Sequence, residues 1–137
     1  MTITFLGHGY VGLVTAAIFA DLGNTVWVIG HTEEKINNLK KGIIPIYESG
    51  LAEIVKRNVK AGRLLFTLSY DKAIPSSKVV FITVGTPPKD SGEADLSVVF
   101  EVAEKIGKHL DGYTVVVTKS TVPVGTNRKV KEIIEKV

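Results

Sequence analysis

Short apolar runs alternate along this chain with longer segments whose apolar residues recur at helical spacing. Five of the runs are rich in β-branched residues and end at turn residues, which predicts β-strands over residues 3–6, 26–29, 64–68, 79–84 and 113–118. The run at residues 26–29 is apolar throughout, as expected of a strand covered on both faces. The periodicity between the runs predicts helices over residues 10–22, 33–41, 51–60, 96–110 and 126–137.

This alternation of strands and helices predicts a parallel sheet with helices on both faces. Because crossovers between parallel strands are right-handed, we expect a doubly wound α/β fold of three layers, with the strand order 3-2-1-4-5. Thr32 and Asp95 are predicted to cap helices, and Gly23 and Gly42 are predicted to end them. No repeat, low-complexity tract or linker interrupts the pattern, so residues 1–137 are predicted to form one domain.

Three glycines with the spacing G-x-G-x-x-G separate the first predicted strand from the first predicted helix. Gly7 permits a tight turn, Gly9 lets the backbone approach a pyrophosphate, and Gly12 lets the helix pack closely on the strand. The free N–H groups at the start of that helix then face the phosphates. The motif alone is weak evidence, but in this strand–turn–helix context it predicts a Rossmann-type dinucleotide-binding domain. His8 fills the free position of the motif and is assigned no catalytic role.

Two further loops follow predicted strands, at residues 85–88 and 119–125, and both are rich in Gly, Pro, Ser and Thr. Such residues occur in any turn, so ordinary loop chemistry explains their composition. In a doubly wound sheet, however, ligands bind outside the carboxyl ends of the strands, where the strand order reverses. The position of the two loops and their hydroxyl groups therefore favour a ligand site.

The second strand lacks one expected feature of an NAD site. An Asp or Glu about 20 residues after the glycines usually binds the ribose hydroxyls, but this position is Gly30, followed by His31 and Thr32. The site loses a charge-assisted hydrogen bond worth about 1.5–3 kcal/mol, and it also loses the repulsion that excludes a 2′-phosphate. NADP therefore becomes possible beside NAD, with backbone N–H groups of residues 30–32, the Thr32 hydroxyl and Lys35 facing the phosphate. Alternatively, Thr32 only caps its helix and Lys35 is a solvated surface lysine.

Composition excludes several other classes of function. The net charge is +3 and the basic residues are scattered without interleaved aromatic residues, so nucleic-acid binding is not expected. There is no cysteine and no cluster with metal-ligand spacing, which excludes thiolate chemistry and predicts no metal. No apolar run approaches the roughly 20 residues of a membrane span, and the N-terminus does not resemble a signal peptide. A cytoplasmic location is the resulting prediction.

Four ordered motifs give the chain a resemblance to the N-terminal domain of the UDP-glucose/GDP-mannose dehydrogenase family. Residues 7–13, GHGYVGL, look like the family's GxGYVGL. Residues 35–51 are similar to its K…G…PIYEPGL segment, with Ser49 in place of the usual proline. Residues 81–87, FITVGTP, followed by Ala94-Asp95-Leu96, resemble FIxVxTP…ADL, and residues 119–125 match KSTVPVG.

The resemblance implies a role for each matching residue. Binding of the pyrophosphate is implied for Gly7, Gly9, Tyr10, Val11 and Gly12. Gly30 aligns with the ribose-binding acid and Lys35 lies near the adenosine ribose, while Val84, Thr86 and Pro87 line the cofactor. Ser120 and Thr121 are implied to lie beside the nicotinamide, with the Thr121 hydroxyl positioning a catalytic water.

In that family the enzyme oxidises a sugar's primary alcohol to a carboxylate with two NAD molecules in succession. The family's remaining catalytic groups, including its nucleophilic cysteine, follow the KSTVPVG motif, and none of them lies within these 137 residues. We therefore expect the chain to be the cofactor half of such an enzyme and catalytically incompetent alone. The nucleotide-sugar substrate would bind only with the missing C-terminal part, and the intact protein would be a homodimer. The alternatives are a stand-alone nucleotide-sensing regulatory module and a degenerate domain that has lost nucleotide binding.

Overall fold

A computed structural model describes all residues of the chain, 1–137. Its centre is a five-stranded sheet in which every paired strand is parallel, and the strand order is β3-β2-β1-β4-β5, as the sequence predicts. The strands are β1 (Thr2–Leu6), β2 (Thr25–Ile29), β3 (Leu64–Thr67), β4 (Val79–Ile82) and β5 (Val115–Thr118). Leu6 at the end of β1 pairs with Ile29 of β2 and with Ile82 of β4. The carboxyl ends of these three strands therefore meet at one edge of the sheet.

Helices cover both faces of the sheet and give the predicted three layers. They are α1 (Tyr10–Asp21), α2 (Glu33–Lys40), α3 (Leu51–Lys60), α4 (Tyr70–Ala73), α5 (Ser97–His109) and α6 (Thr126–Lys136). On one face, Ile3 and Phe5 of β1 pack in a core with α1, α2 and α3. On the other face, Leu6 and Ile29 pack with α4, α5 and α6. Successive side chains of a strand point to opposite faces, which explains why β1 contributes to both cores.

The short helix α4 is absent from the sequence prediction, because four residues are too few to show a helical period. It is held by a buried polar contact with β1. The Thr4 Oγ1 and Ser77 Oγ atoms lie 2.7 Å apart, and the Ser77 hydroxyl donates a hydrogen bond to the Ala73 carbonyl at 2.7 Å. The polar residue in the middle of an apolar strand is thereby satisfied, and α4 is fixed against the sheet.

The predicted helix caps are wrong in detail. Thr32 occupies the N-cap position of α2, but its side chain forms no capping hydrogen bond. Asp95 lies one residue before the N-cap of α5, which is Leu96, and its Oδ1 accepts a hydrogen bond from the Ser97 N–H at 2.9 Å. The Asp95 carboxylate therefore satisfies a helix N–H from outside the expected position. The ends of most other elements differ from prediction by one or two residues, where local patterns are least informative.

Asp21 joins α1 to α3 at the surface. Its carboxylate accepts two hydrogen bonds from the Arg57 guanidinium, at 2.8 and 2.6 Å, and a third from the Asn58 amide at 2.8 Å. These hydrogen bonds, with that of Arg57 contributing most, lower the pKa of Asp21 from its ordinary 3.8 to about 2. The folded state therefore binds the proton more weakly than the unfolded state does.

We expect this ion pair to contribute a pH-dependent part of the stability. A carboxyl group with a lowered pKa stabilises the fold above its unfolded-state pKa and loses that contribution as the pH falls through the folded-state pKa, here between about 4 and 2. Urea denaturation of Asp21→Asn should thus give a free energy of unfolding that falls less steeply over this range than that of the unaltered chain. Asp90→Asn, which removes an exposed carboxylate outside any ion pair, should keep the original slope. Equal slopes for all three proteins would contradict the prediction.

Candidate functional site

A cavity of about 720 Å³ opens at the carboxyl ends of β1, β4 and β5. It lies where the strand order reverses, which is the position at which ligands bind in doubly wound sheets. Its walls come from the glycine loop after β1, the loops after β2, β4 and β5, the segment before α3 and the first turn of α5. The lining residues are Gly7, His8, Gly9, Tyr10, Val11, His31, Lys35, Pro45, Ile46, Thr83, Val84, Gly85, Thr86, Val98, Lys119, Ser120 and Thr121.

The glycine loop holds α1 very close to β1 and β4. Gly7 has a φ of +114°, in the region that favours glycine, and its N–H donates a hydrogen bond to the Ile29 carbonyl at 3.0 Å. A Cβ atom on Gly12 would lie 2.2 Å from the Gly7 carbonyl oxygen and 2.6 Å from Thr83 Oγ1. Gly12 therefore lies beneath the cavity as a packing glycine, and the close approach of helix and strand that the motif predicts is present.

Gly9 is different, because a Cβ atom there would meet no atom within 4 Å. It is the N-cap of α1, and no side chain caps this helix end. No acidic residue occupies the first turn either. The first N–H groups of a helix have no partner within the helix, so α1 presents open donors and a positive dipole end beside the cavity. Such an arrangement of open N–H groups, an anion cradle, can accept an anion, and Gly9 adds no side chain in front of it.

The loops after β4 and β5 are joined to each other and to β1 by hydroxyl groups. The Thr83 hydroxyl donates to the Leu6 carbonyl at 2.8 Å, and the Ser120 hydroxyl donates to the Val84 carbonyl at 2.7 Å. The Thr86 hydroxyl donates to the Thr121 carbonyl at 2.9 Å. The two hydroxyl-rich loops are therefore one connected wall.

The structure brings together most of the residues that the sequence predicts for the cofactor. Nine of the twelve line the main cavity: Gly7, Gly9, Tyr10, Val11, Lys35, Val84, Thr86, Ser120 and Thr121. Gly12 is buried beneath it, Gly30 lines a neighbouring cavity of about 290 Å³, and Pro87 lines neither cavity. The chain contains no group of three or more His, Asp or Glu residues that could hold a metal ion.

His8, at a variable position of the glycine motif, forms part of the cavity wall. Its side chain is buried in the cavity wall, and its ring stacks on that of His31, with centroids 5.6 Å apart and planes 15° apart. Burial lowers the pKa of His8, and the neighbouring His31 and Lys35 lower it further. Its Nε2 is the one buried side-chain polar atom of the chain without a hydrogen-bond partner. The sequence does not reveal this, since the His8 ring is placed by packing between its own loop and the loop that carries His31.

Comparison with known proteins places this site in a defined family. The family model described as the NAD binding domain of the UDP-glucose/GDP-mannose dehydrogenase family matches residues 1–137. The chain is 51% identical over 134 residues to UDP-glucose 6-dehydrogenase TuaD of Bacillus subtilis, covering 98% of this chain and 29% of the relative. It is 53% identical over 135 residues to the UDP-glucose 6-dehydrogenase of Rhizobium meliloti, covering 98% of this chain and 31% of the relative. The chain thus spans about 30% of the length of these curated relatives.

Solved structures show the same similarity. A GDP-mannose dehydrogenase of Pseudomonas aeruginosa, in a ternary complex, superimposes with a TM-score of 0.94 and 36% identity, covering 99% of this chain and 32% of that one. A UDP-glucose dehydrogenase of Pyrobaculum islandicum gives a TM-score of 0.86 and 38% identity, covering 99% of this chain and 33% of that one. No helix of the present structure has the length and apolar character needed to cross a membrane. The chain belongs to the UDP-glucose/GDP-mannose dehydrogenase family, as an NAD-binding domain of that family.

Proposed function

We propose that the main cavity binds NAD and that the whole protein uses it to oxidise the primary alcohol of a nucleotide sugar. The observation that carries this proposal is the presence, in one cavity, of the open helix N-terminus behind Gly9 and the hydroxyl-rich wall that contains Ser120 and Thr121. The first suits the pyrophosphate, and the second forms another part of the wall of the same cavity. When bound, the cofactor supplies a ring that accepts a hydride, and the chain supplies its position and its electrostatic surroundings.

Individual residues have different parts in this proposal. The N–H groups of Tyr10 and Val11 lie in the first turn of α1 and would donate to the pyrophosphate oxygens. Ser120 is held by Val84, so it stiffens the wall on which the nicotinamide would rest. The Thr121 side chain is exposed in the cavity and is proposed to hold a water for the reaction. Residues 1–137 contain no cysteine, so a thiol nucleophile would have to lie elsewhere in the whole protein.

The nucleotide sugar is proposed as substrate because the curated relatives are UDP-glucose 6-dehydrogenases. The homodimer that the resemblance implies stays a prediction for the whole protein. NADP is the second cofactor to consider, because Gly30 offers no carboxylate to repel a 2′-phosphate.

Calorimetric titration of the 137-residue chain with NADH, and in parallel with NADPH, tests the cofactor proposal. Binding of either with a 1:1 stoichiometry, competed by the other, supports it. A folded chain that binds neither at millimolar concentration would overturn it. The test for nucleotide-sugar oxidation is separate: the whole protein should reduce NAD when UDP-glucose is added, and the 137-residue chain should not.

Gly9→Ala should weaken NADH binding while the chain stays folded. Gly9 has φ −75° and ψ −170°, which alanine adopts without strain, and the added methyl group meets no protein atom. We therefore expect stability to change by no more than about 0.5 kcal/mol, because the preference for glycine at an N-cap and the smaller unfolded-state entropy of alanine oppose each other. NADH binding should be about tenfold weaker, a loss of about 1.4 kcal/mol, because the methyl group enters the space of the pyrophosphate. Titration calorimetry and urea denaturation measure the two quantities. Asn37→Ala, an exposed change on α2 outside the cavity, should leave NADH binding unaltered and should not lower the stability, since alanine favours the helix. Full NADH affinity in Gly9→Ala would place the pyrophosphate elsewhere.

A further inference from the structure

His8 lines the main cavity, Gly30 lines the neighbouring one, and the His8 ring limits the space beside Gly30. A Cβ atom on Gly30 would lie 2.9 Å from His8 Cδ2 and 2.6 Å from Ile36 Cδ1. Ile36 Cγ1 would lie 2.9 Å away as well, and Ile36 is buried in the core, so this side chain would also have to shift. The His8 contact is with a ring that is itself buried and stacked on His31. Any side chain at position 30 would thus compete for space with the His8 ring and with the Ile36 side chain.

This steric relation has a chemical consequence for the ribose. An acid that binds ribose hydroxyls from the end of β2 must branch from the position of Gly30. The His8 ring lies against that position. The histidine in the glycine loop and the absence of an acid after the second strand are therefore linked, because the ring takes up space that the acid would need.

Charged and titratable groups of the loop after β2 and of α2, α4 and α5 lie around His8 and Gly30. His31 and Lys35 line the main cavity, and both face His8. The neighbouring cavity, which Gly30 and His31 line, is also lined by Glu101 and Lys105 of α5 and by the tyrosine ring of Tyr70 in α4. Glu33 and Glu34 stand in the first turn of α2 and are exposed. Within the main cavity itself the lining side chains include histidines and lysines but no carboxylate.

We propose that His8 is a specificity-determining residue that replaces the ribose-binding acid by filling its space, and that the site consequently accepts the 2′-phosphate of NADP(H) through His31 and Lys35. The inference rests on the proposed function, since it concerns the same dinucleotide. His8 acts through its shape, because burial favours its neutral form, and the cationic charge comes from Lys35. The unpartnered Nε2 of His8 gives the site a buried hydrogen-bonding group that a ligand can satisfy.

The first arm of the test needs no cofactor. Thermal unfolding is compared for the unaltered chain, Gly30→Asp, His8→Ala and the double variant. Gly30→Asp alone should lower the midpoint by about 5 °C or more, because the new side chain meets the His8 ring. In the His8→Ala background the same Gly30→Asp change should lower it by less, because only the Ile36 contacts then remain. Equal effects of Gly30→Asp in both backgrounds would overturn the steric relation.

The second arm measures the cofactor preference by calorimetry. The unaltered chain should bind NADPH at least as tightly as NADH, and the NADPH affinity should fall more steeply with salt. His31→Gln combined with Lys35→Gln should weaken NADPH about tenfold more than it weakens NADH, so that the ratio of the two affinities changes in favour of NADH. The double variant His8→Ala/Gly30→Asp should prefer NADH by about tenfold or more, since the carboxylate then has room to bind the ribose and repels the phosphate.

The outcomes separate this proposal from the one on which it rests. Binding of NADH with NADPH at least tenfold weaker, or an NADPH affinity that is unchanged in His31→Gln/Lys35→Gln, would overturn the phosphate subsite and leave the NAD site standing. Binding of neither dinucleotide by a folded chain would overturn the proposed function and the subsite with it. A Gly30→Asp variant that keeps its stability and prefers NADH as strongly as the double variant would show that His8 does not control the choice.

Discussion

Gly12→Ala should strongly weaken dinucleotide binding and destabilise the fold at the same time. The added methyl group would lie 2.2 Å from the Gly7 carbonyl oxygen and 2.6 Å from Thr83 Oγ1, closer than atoms can approach. Both neighbours are fixed, the first because it is backbone and the second because its hydroxyl donates to the Leu6 carbonyl. Helix α1 must therefore move away from β1, and the N–H groups that face the cavity must move with it.

The expected size follows from these contacts. Overpacking of this kind costs about 1–3 kcal/mol of stability, which exceeds the roughly 1 kcal/mol that alanine gains over glycine inside a helix. NADH affinity should fall at least about a hundredfold, equivalent to about 2.7 kcal/mol or more, because the whole anion cradle is displaced. Urea denaturation and titration calorimetry give the two values.

Gly9→Ala is the matched control for Gly12→Ala, because it shows the effect of an added methyl group that meets no protein atom. Both changes add one methyl group within the same loop, but only the Gly12 methyl group meets protein atoms. Loss of binding in both variants, with loss of stability only in Gly12→Ala, would fit the structure. A Gly12→Ala chain with unchanged stability and unchanged NADH affinity would mean that α1 does not rest on Gly7.

The parts of the site that the sequence predicts are those determined by short segments. The glycine loop depends on three residues within six positions, and the doubly wound topology brings the loops after β1, β4 and β5 to one edge of the sheet. For this reason Gly7, Gly9, Val84 and Thr121 are found around one cavity. The strand order is predictable for the same reason, since crossover handedness restricts the possible topologies.

The parts that the sequence misses depend on contacts between distant residues. Thr4 appears as a polar interruption of an apolar strand until its partner Ser77, 73 positions away, is known. Pro45 and Ile46 enter the cavity wall from the segment before α3, and no periodicity places them there. The direction of the His8 ring, and with it the space at Gly30, depends on the packing of two loops that are far apart in the chain. Local patterns contain no information about such distances.

Phe5→Ala should cause a larger loss of stability than a substitution at any glycine of the loop that follows it. Phe5 is fully buried in the middle of β1, and its ring stacks on that of Phe81 in β4 with centroids 4.6 Å apart and planes 5° apart. Phe19 of α1 packs beside it, with a centroid distance of 6.0 Å. Removing the ring leaves a cavity between the sheet and α1, at a cost of about 3–5 kcal/mol. That is a large part of the roughly 5–15 kcal/mol that stabilises a typical domain.

Urea denaturation should show this loss as a lower midpoint with an unchanged slope. Phe5→Leu, which keeps most of the buried volume, should cost less than half as much, and Leu22→Ala, at a residue that is 74% exposed, should change stability by no more than about 0.5 kcal/mol. Because β1 leads directly into Gly7, the Phe5→Ala chain should also bind NADH only in the fraction that remains folded, and excess NADH should raise its unfolding midpoint. A Phe5→Ala chain that loses less than about 1 kcal/mol would show that the packing of Phe5 between β1, β4 and α1 contributes little to the stability of the fold.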